Sequence, residues 1–251
     1  MFIDTHCHLT KDDYTDVFSV ISENRKNGIG AIINCSCTKD TINEALELSS
    51  KYEDVFLAIG FHPSEAVTIN DDDLQLLEKI ASSNKKVVAI GEIGLDYHYG
   101  KDDISMQKRL FEKQLLLAEK LNLPVVIHTR DAMGDTIEIL KKHNNYGVIH
   151  CFNGSIEVAK ILIKLGYKLG IGGVVTFKNC NLSSVLKNLS LSDIVLETDS
   201  PYLTPEPFRG KVNSSKYIPV IAKKVAQIFN TDVSGVEDTT TLTACNLFDL
   251  F

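Results

Sequence analysis

Titratable side chains recur at the carboxyl ends of the apolar runs in this sequence, and histidine is the most frequent of them. Five of the seven histidines lie there, namely His6, His8, His62, His128 and His150. The acids Glu92 and Asp199 stand in equivalent places. Imidazole nitrogens mixed with carboxylate oxygens suit zinc, manganese or another divalent transition metal better than calcium. The pattern therefore predicts a metal site.

The first apolar run carries two of these histidines at positions i and i+2. Because alternate residues of a strand point to the same side, His6 and His8 project together and can reach one cation. We predict six metal ligands in all, namely His6, His8, Glu92, His128, His150 and Asp199. Six donors exceed the need of one tetrahedral ion, so we expect two ions bridged by Glu92. Two ions about 3.5–4 Å apart can clamp a phosphoryl group and generate hydroxide at neutral pH.

Short β-branched runs alternate with longer amphipathic stretches along the whole chain. We predict strands over Phe2–His8, Ala31–Cys35, Val55–Gly60, Val87–Ile90, Pro124–Ile127, Gly147–His150, Lys168–Gly172 and Ile194–Leu196. Helices are predicted over Asp13–Asn27, Lys39–Lys51, Asp72–Ser82, Ser105–Leu121, Ala132–His143, Ile156–Leu165, Leu182–Leu189, Lys216–Phe229 and Val233–Phe251. Strands that alternate with helices indicate βαβ units and a parallel α/β sheet.

Eight such units are typical of a (β/α)8 TIM barrel of about 250 residues, which we expect as a single domain over residues 1–251. An open doubly wound sheet has the same local pattern, and periodicity alone does not separate the two folds. In both folds the active site lies at the carboxyl ends of the strands. The dispersed titratable residues would therefore converge on one face.

The composition excludes several classes of protein. A hydrophobic fraction of 44% and a charged fraction of 24% are ordinary for a globular chain, not a disordered or fibrous one. The formal net charge of −7 argues against a generally basic nucleic-acid coat or a polybasic membrane anchor. The sequence has no apolar run near 18 residues and no apparent secretory signal. Six scattered cysteines without a CxxC pair indicate reduced thiols, so we expect a cytoplasmic protein.

Several motifs resemble those of the TatD family of metal-dependent deoxyribonucleases, within the amidohydrolase-like barrel hydrolases. The matching segments are Ile3–His8, Gly60–Pro63, Gly91–Asp96, His128–Arg130, His150–Phe152, Glu197–Pro201 and Phe208–Lys211. They follow one another in the family order. The pair Gly91–Asp96 and Glu197–Pro201 is far more specific than the two histidines of the first run.

The resemblance implies a deoxyribonuclease that works from the 3′ end of single-stranded or damaged DNA, with RNA as a further candidate substrate. It implies one or two divalent ions (Mg, Mn or Zn) and the same six ligands that the spacing predicts. It also implies that His62, Arg130 and Asp96 lie beside the metals, behind the ligands or on the substrate. The oligomeric state stays open.

The expected mechanism assigns Asp199 as the general base and Glu92 as the residue that holds the ions together. Arg130 and His62 would hydrogen-bond the phosphate. A rim of cations is expected from Lys178, Arg209 and Lys211, although these residues fit a solvated surface equally well. Two alternatives stay open: a metal-dependent hydrolase of an amide, lactone or aminoacyl-tRNA ester, and a metal-binding protein without activity.

Overall fold

A computed structural model of the chain describes residues 1–98 and 103–251. The strands are β1 (Phe2–Cys7), β2 (Ile29–Ser36), β3 (Val55–Ile59), β4 (Val87–Asp96), β5 (Val125–Arg130), β6 (Gly147–Ile149), β7 (Tyr167–Ile171) and β8 (Ile194–Leu196). The helices are α1 (Val17–Lys26), α2 (Lys39–Lys51), α3 (Asp71–Ser83), α4 (Ile104–Leu121), α5 (Met133–Leu140), α6 (Ile156–Lys164), α7 (Leu182–Leu186), α8 (Ile218–Phe229) and α9 (Val233–Phe248). Helices thus alternate with strands, as predicted.

The order of the strands decides the fold class. The eight strands form one sheet in which they follow their order along the chain, from β1 to β8. At the ends of β1 and β8, Cys7 pairs with Ser200 in parallel, and the His8 N–H donates to the Ser200 carbonyl oxygen over 2.7 Å. A doubly wound sheet reverses its strand order at a switch point, and this sheet does not. The (β/α)8 TIM-barrel class is confirmed.

The described chain comprises two compact units. The first contains Met1–Asn34 and His150–Phe251, and the second contains Cys35–Ile149. In the first unit, α8 and α9 cover β1 and β8 with fully buried side chains such as Val225 and Val236. In the second unit, α4 packs on β4 through side chains such as Phe111. The interpretation of residues 1–251 as one domain stays a prediction.

Helix α1 begins four residues later than the predicted Asp13. The Thr10 hydroxyl donates to the Asp13 carboxylate over 2.7 Å and accepts the Asp13 N–H over 3.2 Å, so these residues form a turn. Asp16 then caps α1 by accepting the Ser19 N–H over 3.0 Å. Asp and Thr side chains compete with the helical backbone in this way, which apolar periodicity does not reveal.

Strand β4 is longer than the predicted Val87–Ile90. Its last residues continue the ladder with β5, where Gly94 pairs with His128 and Asp96 pairs with Arg130. The approach is close because a Cβ on Gly94 would lie 1.9 Å from the His128 carbonyl oxygen. The acids of the Gly91–Asp96 segment therefore lie on a strand, whereas the sequence analysis placed them after it.

The remaining boundaries differ by a few residues at most. The predicted ends of the helices beginning near Ala132, Leu182 and Val233 extend three residues beyond the observed ends. Within residues 1–98 and 103–251, no helix combines the length and the apolar character that would be needed to cross a bilayer.

Replacing Gly147 by alanine is expected to destabilise the second unit. A Cβ there would lie 1.9 Å from the backbone oxygen of Val125, so β5 and β6 must move apart. Forced overpacking of this kind costs about 1–3 kcal/mol of unfolding free energy, measurable by urea denaturation.

Gly134→Ala is the matched control because Gly134 is exposed on α5 and a Cβ there meets nothing within 4 Å. We expect its stability to be unchanged or to rise by up to about 1 kcal/mol. Equal stability of the two variants would contradict the close approach of β5 and β6.

Candidate metal centre

The first unit brings three candidate ligands together at the ends of β1 and β8. His6 and His8 point to the same side, as predicted, with their Nε2 atoms 3.2 Å apart. The Oδ1 atom of Asp199 lies 3.6 Å from Nε2 of His6 and 3.5 Å from that of His8. Two imidazole nitrogens and a carboxylate oxygen therefore face a common point.

His150, which follows β6, joins this group from the other side of His6. The two rings stack with centroids 4.0 Å apart and an interplanar angle of 14°. Donor atoms of His6, His150 and Asp199 all lie within 4.8 Å of one another, a spacing that could hold a metal ion. All four first-unit ligands predicted from the sequence thus lie in one cluster.

The imidazoles decide the ionisation of Asp199. Burial alone would raise its pKa, but a hydrogen bond with His8 and the charges of His150 and His6 together lower the pKa below its usual value. Asp199 adopts a left-handed backbone with φ 53°, and its N–H donates to the His6 carbonyl oxygen over 2.9 Å. The hydrogen bond to His6 therefore holds the backbone that carries the carboxylate, and the neighbouring imidazoles favour its ionised form.

Asp4 holds the ends of β1 and β8 together beneath the cluster. Its fully buried carboxylate accepts the Thr198 N–H over 3.0 Å and the Thr198 hydroxyl over 2.6 Å. The His6 N–H donates to the same carboxylate over 3.3 Å. Burial raises the pKa of Asp4 to about 7, although the hydrogen bonds with Thr198 and Ser215 oppose this rise. The Asp4 carboxylate helps to position the candidate ligands, because it accepts the backbone N–H groups of His6 and of Thr198, which precedes Asp199.

Glu197 is a residue whose role sequence reasoning missed. It is fully buried, and its Oε1 accepts the Cys151 N–H over 2.6 Å and lies 3.6 Å from Nδ1 of His150. A Cβ on Gly170 would lie 2.1 Å from Oε2, so only glycine on β7 leaves room for this carboxylate. Glu197 thus binds the backbone next to His150 and lies against its imidazole, from which we infer that it helps to position the ring. The available signal was an acid two residues before Asp199.

The second unit holds a separate cluster around His128, which lies on β5. Nδ1 of His128 lies 2.7 Å from Oε1 of Glu92, and Nε2 lies 3.1 Å from Oδ2 of Asp96. The ring of His62 meets that of His128 edge-on, with centroids 4.5 Å apart. Donor atoms of His62, Asp96 and His128 lie within 4.8 Å of one another. His62 and Asp96, predicted as substrate contacts, are therefore also placed to act as ligands.

Two glutamines on α4 position this second cluster. The Gln107 amide exchanges two hydrogen bonds of 2.9 Å with the backbone of Asp96. The Gln114 amide does the same with the backbone of Phe61, next to His62, over 2.7 and 2.9 Å. The two side chains are seven residues apart, so they lie on one face of the helix. This seven-residue spacing was the signal in the sequence that could have indicated a shared role for the two glutamines.

Burial and charge act in opposite directions on the second cluster too. Burial would raise the pKa of Asp96, but hydrogen bonds with His128 and His98 and the charges of His128 and His62 lower it.

Glu92 is only 4% exposed, and its Oε2 accepts from the Cys37 thiol over 3.5 Å. Sequence reasoning assigned Cys37 no place in the site, because it interpreted the six cysteines only as reduced thiols.

The predicted cationic contacts lie on exposed segments of the chain. Arg130 is exposed at the end of β5, and Lys178 is exposed in the segment after β7. Arg209 places its guanidinium 4.2 Å from the ring centroid of Phe177 and donates to the Thr204 carbonyl oxygen over 3.2 Å. Their contact with a substrate stays a prediction.

The donor atoms in both clusters suit a divalent transition metal. Each contains imidazole nitrogens with a carboxylate oxygen, the mixture that zinc and manganese bind. The Nε2 atoms of His6 and His8 lie 3.2 Å apart, close enough for both nitrogens to bind one cation. That four ligands of the first unit and two of the second share one centre stays a prediction.

Replacing Glu197 by glutamine is expected to weaken metal binding about 10–100-fold, the usual effect of losing a group that orients a ligating histidine. The glutamine keeps the size of the side chain, so the melting temperature of the metal-free protein should change little. Competition with a chromophoric chelator measures the affinity. Glu157→Gln, an exposed change on α6, is the control. Equal affinities of the two variants would remove Glu197 from the positioning role.

Comparisons with known proteins establish the family of the chain. An uncharacterised metal-dependent hydrolase, YabD of Bacillus subtilis, is 39% identical over 253 residues, which cover 99% of each chain. Another, YcfH of Escherichia coli, is 32% identical over 99% of this chain and 96% of its own. The crystal structure of YjjV, a TatD homologue from Escherichia coli K12, superposes with a TM-score of 0.92 at 30% identity, covering 100% of this chain and 98% of YjjV. The sequence profile of TatD-related DNases matches residues 3–249. The chain therefore belongs to the TatD-related DNase family.

Proposed function

We propose that this chain, a metal-dependent hydrolase of the TatD family, is a deoxyribonuclease that shortens single-stranded or damaged DNA from the 3′ end. The observation that carries the proposal is the cluster of His6, His8 and Asp199, whose donor atoms lie 3.2–3.6 Å apart. Such a cluster at the carboxyl ends of barrel strands is where enzymes of this fold act. RNA is a second substrate to test.

The proposed cofactor is one or two divalent ions, namely Mg, Mn or Zn. The proposed ligands are His6, His8, His150 and Asp199 of the first unit and Glu92 and His128 of the second. Such an ion, when bound, polarises a phosphoryl oxygen and brings the pKa of a bound water near neutrality. Glu92 would help to hold the ion or ions, the role that the sequence analysis expects of it.

The chain's own residues supply proton transfer and substrate orientation. Asp199 is the proposed general base, because its lowered pKa keeps the carboxylate ionised at neutral pH. It would take a proton from the attacking water through one oxygen while the other faces His6 and His8. Arg130 and His62 would hydrogen-bond the phosphate, and the planar guanidinium suits two of its oxygens. We also propose a cytoplasmic location, since none of the six cysteines forms a disulfide.

The first test compares substrates before and after metal removal. Purified protein is stripped with a chelator, reloaded with Mn²⁺, Zn²⁺ or Mg²⁺, and given single-stranded DNA labelled at its 5′ end. We expect a ladder that shortens stepwise from the 3′ end with metal and no cleavage without it. A parallel panel contains amides, lactones and an aminoacyl-tRNA ester. If the protein hydrolyses a member of that panel and leaves the DNA intact, it is a hydrolase of a different bond and the nuclease proposal is wrong. If metal stimulates no hydrolysis of any substrate, both the nuclease and the alternative hydrolase are contradicted.

Asp199→Asn is expected to lower the rate of DNA cleavage by about 10²–10⁴-fold, the usual contribution of a general base. Most of the bound metal and the circular dichroism spectrum should remain, because three imidazoles of the cluster are unchanged. Asp238→Asn, an exposed change on α9, is the matched control and should cleave at the original rate. Normal turnover by Asp199→Asn would exclude the carboxylate as the base.

A further inference from the structure

We propose that Tyr202 is a stacking platform for the nucleobase next to the phosphodiester that is cleaved. The inference rests on the proposed function and deepens it, because it assigns to the same site a residue that would bind the base at the end of the strand. The argument uses the position of the ring, the rigidity of its loop and the charges beside it.

Tyr202 stands beside the candidate ligands of the first unit. Its N–H donates to the Asp199 carbonyl oxygen over 2.9 Å, so the residue lies one tight turn from the proposed base. The centroid of its ring lies 6.4 Å from that of His8, at an interplanar angle of 59°. A nucleobase on this ring would therefore place its own phosphate near His8 and Asp199.

The ring is also open to solvent. It is 57% exposed, a fraction that among the aromatic residues of the described ranges is exceeded only by Phe18 and Phe251. Phe18 lies on α1, ten residues after His8, and Phe251 lies at the end of the chain, whereas Tyr202 is three residues from Asp199. A large exposed ring is costly to keep in water, and its place beside a polar cluster is what a base-binding site requires.

The loop that carries Tyr202 is held in place at both ends. Asn213 donates through Nδ2 to the carbonyl oxygens of Tyr202 and Thr198, over 2.5 and 2.9 Å. The Tyr14 hydroxyl donates to the Asn213 carbonyl oxygen over 2.8 Å. A Cβ on Gly173 would lie 2.1 Å from the Leu203 carbonyl oxygen, so the loop packs closely on the segment after β7. A base would bind a preordered ring and would not have to order the loop.

The same loop brings cations and further rings next to one another. Arg209 lies over Phe177, and the Lys211 ammonium lies 5.4 Å from the ring centroid of Phe208. The Thr204 hydroxyl donates to the Lys211 carbonyl oxygen over 2.6 Å, and Arg209 donates to the Thr204 carbonyl oxygen over 3.2 Å. Both cationic residues are therefore tied to Thr204, two residues after Tyr202. Glu206 is the one acid in the sequence between Tyr202 and Asn213. A chain of net charge −7 thus has more positive than negative side chains in the segment after Tyr202, which suits the phosphates of a strand.

Stacking determines which nucleic acids fit. Every base has a π face, so a tyrosine platform accepts strands with little regard to sequence. The base must first leave its own stack, which is easiest at a frayed, damaged or single-stranded end. The platform would therefore favour unpaired ends over the interior of a duplex.

The test compares two strands that differ in a single base. One ends in a normal 3′ nucleotide and the other ends in the same sugar and phosphate without a base. We expect Tyr202→Ala to lower kcat/KM on the normal strand about 5- to 150-fold, the equivalent of losing one base stack, and less than twofold on the baseless strand. Tyr202→Phe keeps the ring and should cleave both strands like the unchanged protein.

A binding measurement separates stacking from a structural role. In an Asp199→Asn background, a strand ending in 2-aminopurine should lose fluorescence when it binds, because the base stacks on the ring. This quenching should persist in Tyr202→Phe and disappear in Tyr202→Ala. Tyr202→Leu is a second variant that fills the same space without a π face, and it should behave like Tyr202→Ala.

The outcomes are distinct. An equal loss on the normal and the baseless strand, or quenching that survives in Tyr202→Leu, would overturn the stacking role and leave the nuclease proposal standing. DNA that the unchanged, metal-loaded protein does not cleave would overturn the nuclease proposal and the stacking role with it.

Discussion

Burying imidazoles and carboxylates side by side is the constraint on which the rest of this molecule depends. His6 is fully buried and Glu92 nearly so, and such groups are costly to remove from water unless each has a partner. Oδ1 of Asp199 lies 3.6 and 3.5 Å from the Nε2 atoms of His6 and His8, and these imidazoles together with His150 lower the pKa of the carboxyl group. A cation would complete this balance, since it is the partner that several converging lone pairs share.

The fold meets the constraint through backbone contacts as much as through side chains. Asp4 joins β1 to the segment after β8 by hydrogen bonds. Gln107 and Gln114 hydrogen-bond the backbone of the segments that carry Asp96 and His62. Gly94 has no Cβ where β4 approaches the backbone of β5, and Gly170 has none where the Glu197 carboxylate lies. Ligand geometry in such a site is set by residues that need not touch a metal, which is why these residues matter to function.

The sequence predicted the alternation of strands and helices, because local periodicity determines it. The set of six metal ligands, which rests on residue type and spacing, stays a prediction. Sequence reasoning placed the end of β4 too early, since the ladder between Gly94 and His128 depends on a partner strand that local pattern does not show. It gave Glu197 no role, since its function arises from the space left by Gly170 on a different strand. The position of Tyr202 depends on a hydrogen bond from Asn213 to its carbonyl oxygen, and no sequence motif indicates this contact within the loop.

Anomalous X-ray scattering from crystals grown with Zn²⁺ or Mn²⁺ tests the central claim most directly, because it locates the metal without reference to activity. The account predicts one or two peaks about 2.0–2.3 Å from donor atoms of His6, His8, Glu92, His128, His150 and Asp199. Peaks bound by other residues, or no peak beside these six, would contradict it.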